Sequence, residues 1–251
     1  VMRLSAMGDV AMTVPVLRAF VQQYPEVQLT VVSRPFFQPF FKNIPNLHFF
    51  AFDEKERHKG ILGLWRLFQD LKAFQIDAFA DVHNVLRSKV VRYLFALSGK
   101  RTAFVDKGRA EKKALTRAEN KIFQPLTTMF ERHQLVFETL GFPIDLSHPQ
   151  FPLKAAIPQP ELAAIVTQSQ KSIGIAPFAQ YDSKVYPFDL MQVVVNTLAA
   201  NENHTIFLFG GGQNEKEKLQ KLVGDKKNVI NMAGKVPFTT ELNLISSLDV
   251  M

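Results

Sequence analysis

The chain has 251 residues, 47% of them hydrophobic and 21% charged, which is enough apolar material for one large or two ordinary domains and too much for a disordered chain. Cysteine is absent, which excludes disulfides and thiolate-ligated zinc or iron–sulfur sites and suits a reducing compartment. The six His show no H-x-x-x-H spacing, which weakens the case for a metal further. A net charge of +7 favours an anionic partner. The Lys- and Arg-rich segment 100–121 fits nucleic acid, a phosphorylated sugar, an anionic membrane face or a solvated loop equally. No apolar run reaches the ~20 residues of a membrane span, and the first residues lack the pattern of a signal peptide, so a cytoplasmic location is expected.

In chain order, apolar and β-branched runs at residues 1–5, 28–33, 48–52, 78–82 and 101–105 read as strands. Helical spacing separates them. Val10, Val14, Leu17 and Val21 form one stripe, and Ile61, Leu64, Trp65, Phe68 and Leu71 form another, each able to press against a sheet. Pro15 should bend the first helix. Residues 142–160 hold five prolines, so a linker is expected over 146–165, between an N-terminal domain at 1–145 and a C-terminal one at 166–251. After it come strands at 172–176, 205–209 and 228–231 and helices at 188–200, 213–223 and 239–247. This alternation predicts an α/β fold of two Rossmann-like parallel-sheet domains facing across a cleft.

Several turns follow strands, where ligands of such sheets bind. In the turn around Gly8 and Asp9, glycine permits close approach. The Asp9 carboxylate is either a helix N-cap or a general base. At 81–88, Arg87 and Ser88 can meet an anionic substrate, or Arg87 can be a solvated helix residue; His83 can be a turn histidine, and Asn84 can take a left-handed conformation. In the polar loop 176–187, Lys184 suits a diphosphate leaving group or is a surface lysine. The Gly210-Gly211-Gly212 run suits nucleotide approach but matches neither dinucleotide nor P-loop spacing. The phenylalanines at 36–52 read mostly as core, some able to touch lipid. The basic segment has too few aromatics to stack single-stranded nucleic acid.

These residues carry a resemblance. The stretch RLSAMGDVAMTVPVL at 3–17 resembles the opening signature of the ADP-heptose:lipopolysaccharide heptosyltransferases, the inverting GT-B enzymes of glycosyltransferase family 9. IDAFADVHNVLRS, GIAPFAQYDSKVYP and NMAGKVP resemble three further family segments, in the family's order. Phe178 stands where the family has Gly, and Tyr186 where it usually has Trp. The resemblance implies transfer of heptose from ADP-heptose to a hydroxyl of a lipopolysaccharide core, with Asp9 as base and Gly8, Arg87 and Ser88 on the acceptor. It implies a nucleotide-sugar pocket from Gln180, Ser183, Lys184, Gly210, Gly211, Glu215, Lys235 and Val236, with the nucleotide sugar as donor substrate and no metal or other cofactor. Peripheral contact with the inner membrane follows, and nucleic acid does not. The family's D-S/T-G-x-x-H-L donor motif lies beyond residue 251, so the C-terminal domain is read as incomplete and donor transfer as needing that motif. A family 9 relative using another nucleotide sugar and a noncatalytic nucleotide- or glycan-binding protein are the alternatives.

Overall fold

The apolar runs of the N-terminal half pair into one parallel sheet. In the computed structural model, which describes residues 1–149 and 151–251, β1 (Leu29–Ser33) pairs with β2 (Leu47–Ala51) and β3 (Ala78–Asp81) with β4 (Arg101–Phe104), all parallel. The first residues join the two pairs. Met2 bridges Val32 on one side and Asp81 on the other, with the Met2 N–H donating to Ala80 O at 2.9 Å and the Arg3 N–H to Val32 O at 3.1 Å. The sheet order is therefore β2, β1, the opening segment, β3, β4. The strand expected over 1–5 is shorter, because the chain leaves the sheet at Leu4 to enter a turn.

Helices connect these strands: α1 (Met7–Ala11), α2 (Val14–Gln23), α3 (Gly60–Lys72), α4 (Leu86–Leu97), α5 (Arg109–Thr116) and α6 (Met129–Thr139). The first predicted helix is two helices. Pro15 lies in the opening turn of α2, where its missing N–H costs no hydrogen bond. The break falls before it, at Met12–Thr13, rather than at a bend through Pro15. Val16, Leu17, Phe20 and Val21 of α2 pack with Val31, Phe37, Phe41 and Phe137 in one core cluster. A second cluster lies under α3 and α4 and contains Met2, Leu64, Leu67, Phe68, Phe79 and Phe95.

The stripe read for α3 needs correction. Leu64, Leu67, Phe68 and Leu71 are buried, whereas Ile61 and Trp65 face outward. Trp65 is one step of about 100° around the axis from Leu64, and Ile61 belongs to the first turn. Gly63 is also buried, because a Cβ there would stand 2.2 Å from the His58 carbonyl carbon. Gly63→Ala should therefore destabilise the chain by roughly 1–3 kcal/mol, the range for overpacking, as read by denaturant melts.

The division between units falls at Phe151/Pro152 (Val1–Phe151 and Pro152–Met251). Gln150, within the expected linker, lies outside the described residues. The Pro-rich stretch ends in a helix, α7 (Pro160–Gln168), with Pro160 in its first turn. Leu162, Ile165 and Val166 of α7 pack on Phe207, Phe209, Met232 and Leu244, so this helix is part of the second core. That unit contains β5 (Lys171–Ile175), β6 (His204–Leu208) and β7 (Val229–Asn231) in the parallel order 5-6-7, with α8 (Phe188–Ala199), α9 (Gly212–Val223) and α10 (Phe238–Ser247). Val250 pairs in parallel with Ile173 at the other edge of β5.

Candidate functional site

In the first unit the chemistry gathers where Met2 and β3 release the chain. Asp9 is the third residue of the five-residue α1, whose N-cap is Ala6 without a side-chain cap. The N-cap role considered for Asp9 is thus filled by a residue that cannot perform it. The carboxylate instead pairs with the Arg3 guanidinium, whose side chain is 6% exposed against 42% for Asp9. Arg3 is held from below by Nη1–H donation to Val82 O at 2.5 Å. Burial lowers the Arg3 pKa, opposed by Asp9 and then Asp81. The result is a half-exposed carboxylate fixed by a buried cation. A side chain added at Gly8 would meet nothing within 4 Å, so the surface beside Asp9 is open.

The 81–88 turn supplies the next wall. Asp81 is fully buried, and its Oδ1 accepts from the N–H groups of His83 at 3.1 Å and Asn84 at 2.7 Å. Asn84 takes φ +48°, the left-handed conformation anticipated for it. The His83 ring lies by Ser5, with Oγ and Nε2 3.3 Å apart. Burial, then the charges of Arg3 and Lys107, hold its pKa at about 4, so the imidazole is neutral at pH 7. Arg87 is exposed and donates to Glu54 Oε2 at 2.8 Å, while Arg34 binds the same carboxylate at 2.9 Å.

Ser88 differs from its expected place. It is buried, its Oγ accepts from Val85 N at 3.0 Å and donates to Val85 O at 3.1 Å, and it serves the start of α4 rather than a ligand surface. Lys107 was not singled out within the basic segment, yet it lies in electrostatic reach of Arg3, Asp9 and Asp81, and burial followed by Arg3 and Arg109 lowers its pKa. No periodicity or motif could have marked it, because its place depends on where β4 ends.

In the second unit the expected donor residues fall on the turns after β5, β6 and β7, with Glu215 in the first turn of α9. Gln180 and Ser183 are exposed, and Lys184 closes a short turn, Asp182–Lys184, with Nζ 5.6 Å from the centre of the Tyr181 ring. Beside this loop is a cavity of about 450 Å³ whose lining includes Phe178, Asp182, Tyr186, Asn214, Glu215 and Lys218. Of the residues expected in the donor pocket, Glu215 lines it, and its Oε2 accepts from Gly211 N–H at 2.7 Å. Gly210 is closed in, since a Cβ would meet Glu215 and Leu219 atoms at 3.0 Å. Gly212, with φ +75°, is the position in the run that requires glycine. Lys235 and Val236 follow β7, where Lys235 N–H donates to Met232 O at 3.0 Å and Val236 packs on the core; neither lines the cavity. Asp182, Asn214 and Lys218 were missed. Among the described residues, no group of three or more His, Asp or Glu is placed to hold a metal ion, and no helix is long and apolar enough to cross a membrane.

The profile of glycosyltransferase family 9 (heptosyltransferase) matches residues 64–251. The lipopolysaccharide core heptosyltransferase OpsX of Haemophilus influenzae is 24% identical over 254 residues, covering 100% of this chain and 71% of that protein. Among solved structures, a family 9 glycosyl transferase from Veillonella parvula superposes with a TM-score of 0.71 at 19% identity, over 98% of this chain and 72% of its own. ADP-heptose lipopolysaccharide heptosyltransferase II of E. coli gives 0.68 at 17% identity, over 99% and 76%. These superpositions show that the chain has the GT-B fold of those structures.

Proposed function

The chain belongs to glycosyltransferase family 9, the heptosyltransferases, and from that premise we propose that it moves heptose from ADP-heptose to a hydroxyl of an anionic lipopolysaccharide core acceptor, with inversion. The observation that carries the reading is Asp9, a half-exposed carboxylate gripped by buried Arg3. Asp9 takes the acceptor hydroxyl's proton as its oxygen bonds to the anomeric carbon. The bond from that carbon to the diphosphate breaks on the opposite face, and ADP leaves with the electron pair. One base suffices for such a displacement.

Arg3 positions the carboxylate. The cations Arg34, Arg87 and Lys107, offset only in part by the single Glu54 carboxylate between the two arginines, give this corner a positive field that suits an acceptor bearing phosphates or carboxylates. In the second unit, Lys184 neutralises the leaving diphosphate, with Gln180 and Ser183 beside it. The cavity lined by Asp182, Asn214 and Glu215 takes the nucleoside end of the donor. No metal is assigned a role.

The test is calorimetric titration with ADP and ADP-heptose. Binding of both is expected, and Lys184→Ala should weaken it about 10- to 100-fold, the value of a charge-assisted phosphate contact. Binding of a different nucleotide sugar in preference to ADP-heptose would reassign the donor. Equal affinity in the Lys184→Ala protein would remove Lys184 from the phosphates.

A further inference from the structure

α6 places a histidine behind the Asp9 corner. Its first turn is tied to the carboxyl end of the first sheet, because Arg132 Nη1–H donates at 3.2 Å to the carbonyl of Asp106, just past β4. His133 is the next residue. It opens a buried face that continues through Val136, Phe137 and Leu140, the i, i+3, i+4, i+7 spacing of one helix side. That face lies on α2, β3 and β4, with Phe137 against the cluster of Leu17 and Phe20, and Val136 and Leu140 against that of Ala80, Val82, Ala103 and Val105. His133 itself is only 1% exposed, and neither ring nitrogen meets a partner at hydrogen-bond geometry among the described residues, a costly state for a buried polar group. The charged groups that reach the ring from the surrounding elements are Arg3 and Asp9, and the Met12 backbone is the acceptor it faces.

Met12 is where α1 stops. Its N–H donates to Gly8 O at 2.9 Å, and Thr13 closes the turn through N–H and Oγ–H bonds to Val10 O at 3.0 and 2.6 Å. α2 begins its own ladder at Thr13 O, which accepts from Leu17 N–H at 3.0 Å. Among the described residues no backbone N–H is donated to Met12 O. A buried imidazole, which carries one N–H when neutral, and a carbonyl without a backbone donor therefore meet at the break between the helix that bears Asp9 and the helix that packs on the core.

We propose that His133 is a positioning residue for the transfer: its ring N–H closes on the Met12 carbonyl and pins the α1–α2 break, so that the Asp9 carboxylate keeps the direction in which it meets the acceptor hydroxyl. Arg3 fixes the carboxylate through its side chain, and His133 fixes the backbone that follows it. The inference rests on the proposed role of Asp9 as the base.

His133→Leu removes the donor, whereas the amide of His133→Gln can still donate. His133→Leu should lower kcat for heptose transfer about 10-fold, within the scale of a misplaced catalytic group, with the affinity for ADP-heptose by calorimetry as in the parent. His133→Gln should recover most of the rate. A packing role alone would cost both variants stability and leave the kcat of the folded protein in place. Two readouts do not depend on turnover. Amides of residues 10–17 should exchange faster in the Leu variant than in the Gln variant, and in the isotope-labelled parent chain a coupling across the hydrogen bond should join the His133 ring nitrogen to the Met12 carbonyl carbon. Parent kcat in His133→Leu, a Gln variant as slow as the Leu variant, or absence of that coupling would overturn the proposal. Near-parent turnover by Asp9→Asn with the coupling present would overturn it through the base assignment instead, so the two failures are distinct.

Discussion

Asp9→Asn should lower the rate of heptose transfer at least ~100-fold, the lower bound for a lost general base, with the affinity for ADP-heptose unchanged. The amide keeps the shape of the carboxylate beside Arg3 but cannot accept the acceptor's proton. It also leaves Arg3 with Asp81 as its nearby carboxylate, so a modest loss of thermal stability is expected with the loss of rate. The two effects separate in Arg3→Met. There the carboxylate remains but is no longer fixed, and kcat should fall by a smaller factor than in Asp9→Asn. Turnover by Asp9→Asn at near the parent rate would remove Asp9 as the base.

Acidification from pH 7 to pH 5 should cost the first unit about 2 kcal/mol for each of two buried histidines. His83 and His133 are both held at about 4, His83 by burial and then Arg3, and His133 also by burial and then Arg3. The ordinary value in an unfolded chain is near 6.5. Below that pH the unfolded chain binds two protons that the fold refuses, so the slope of unfolding free energy with pH is positive and stability falls as pH falls. The window from 6.5 to 5 lies above the range where ordinary carboxylates titrate. Denaturant melts across it should show the loss, and His133→Leu should remove the share of that one ring, about 2 kcal/mol. A flat profile between pH 7 and 5 would contradict the burial of both rings.

The alternation of strands and helices was legible because each strand is a short apolar run, and β1, β3, β5 and β6 lie where those runs lie. Period alone misjudged α3. Ile61 and Trp65 share helical spacing with Leu64 and Phe68, yet which side of a wide apolar arc is covered depends on the neighbours it meets. α5 and α7 were not legible, one because it buries no side chain and the other because Pro160 reads as a linker residue until its place in a first turn is known. At the candidate site, a turn motif and a resemblance put Asp9 and Lys184 forward. Ser88 was misread because a serine at the third position of a helix caps its own start as readily as it meets a ligand. Lys107, Asp182 and Lys218 carry no local signal, since three-dimensional neighbours alone bring them to their sites.

The most direct measurement of the central claim is product analysis after incubating the chain with ADP-heptose and a heptose-deficient lipopolysaccharide core acceptor. Release of ADP matched one for one by acceptor bearing a single added heptose, absent with Asp9→Asn, is the predicted result. ADP-heptose left intact while the same chain transfers a different sugar, or heptose transfer that survives the Asp9→Asn change, would contradict it.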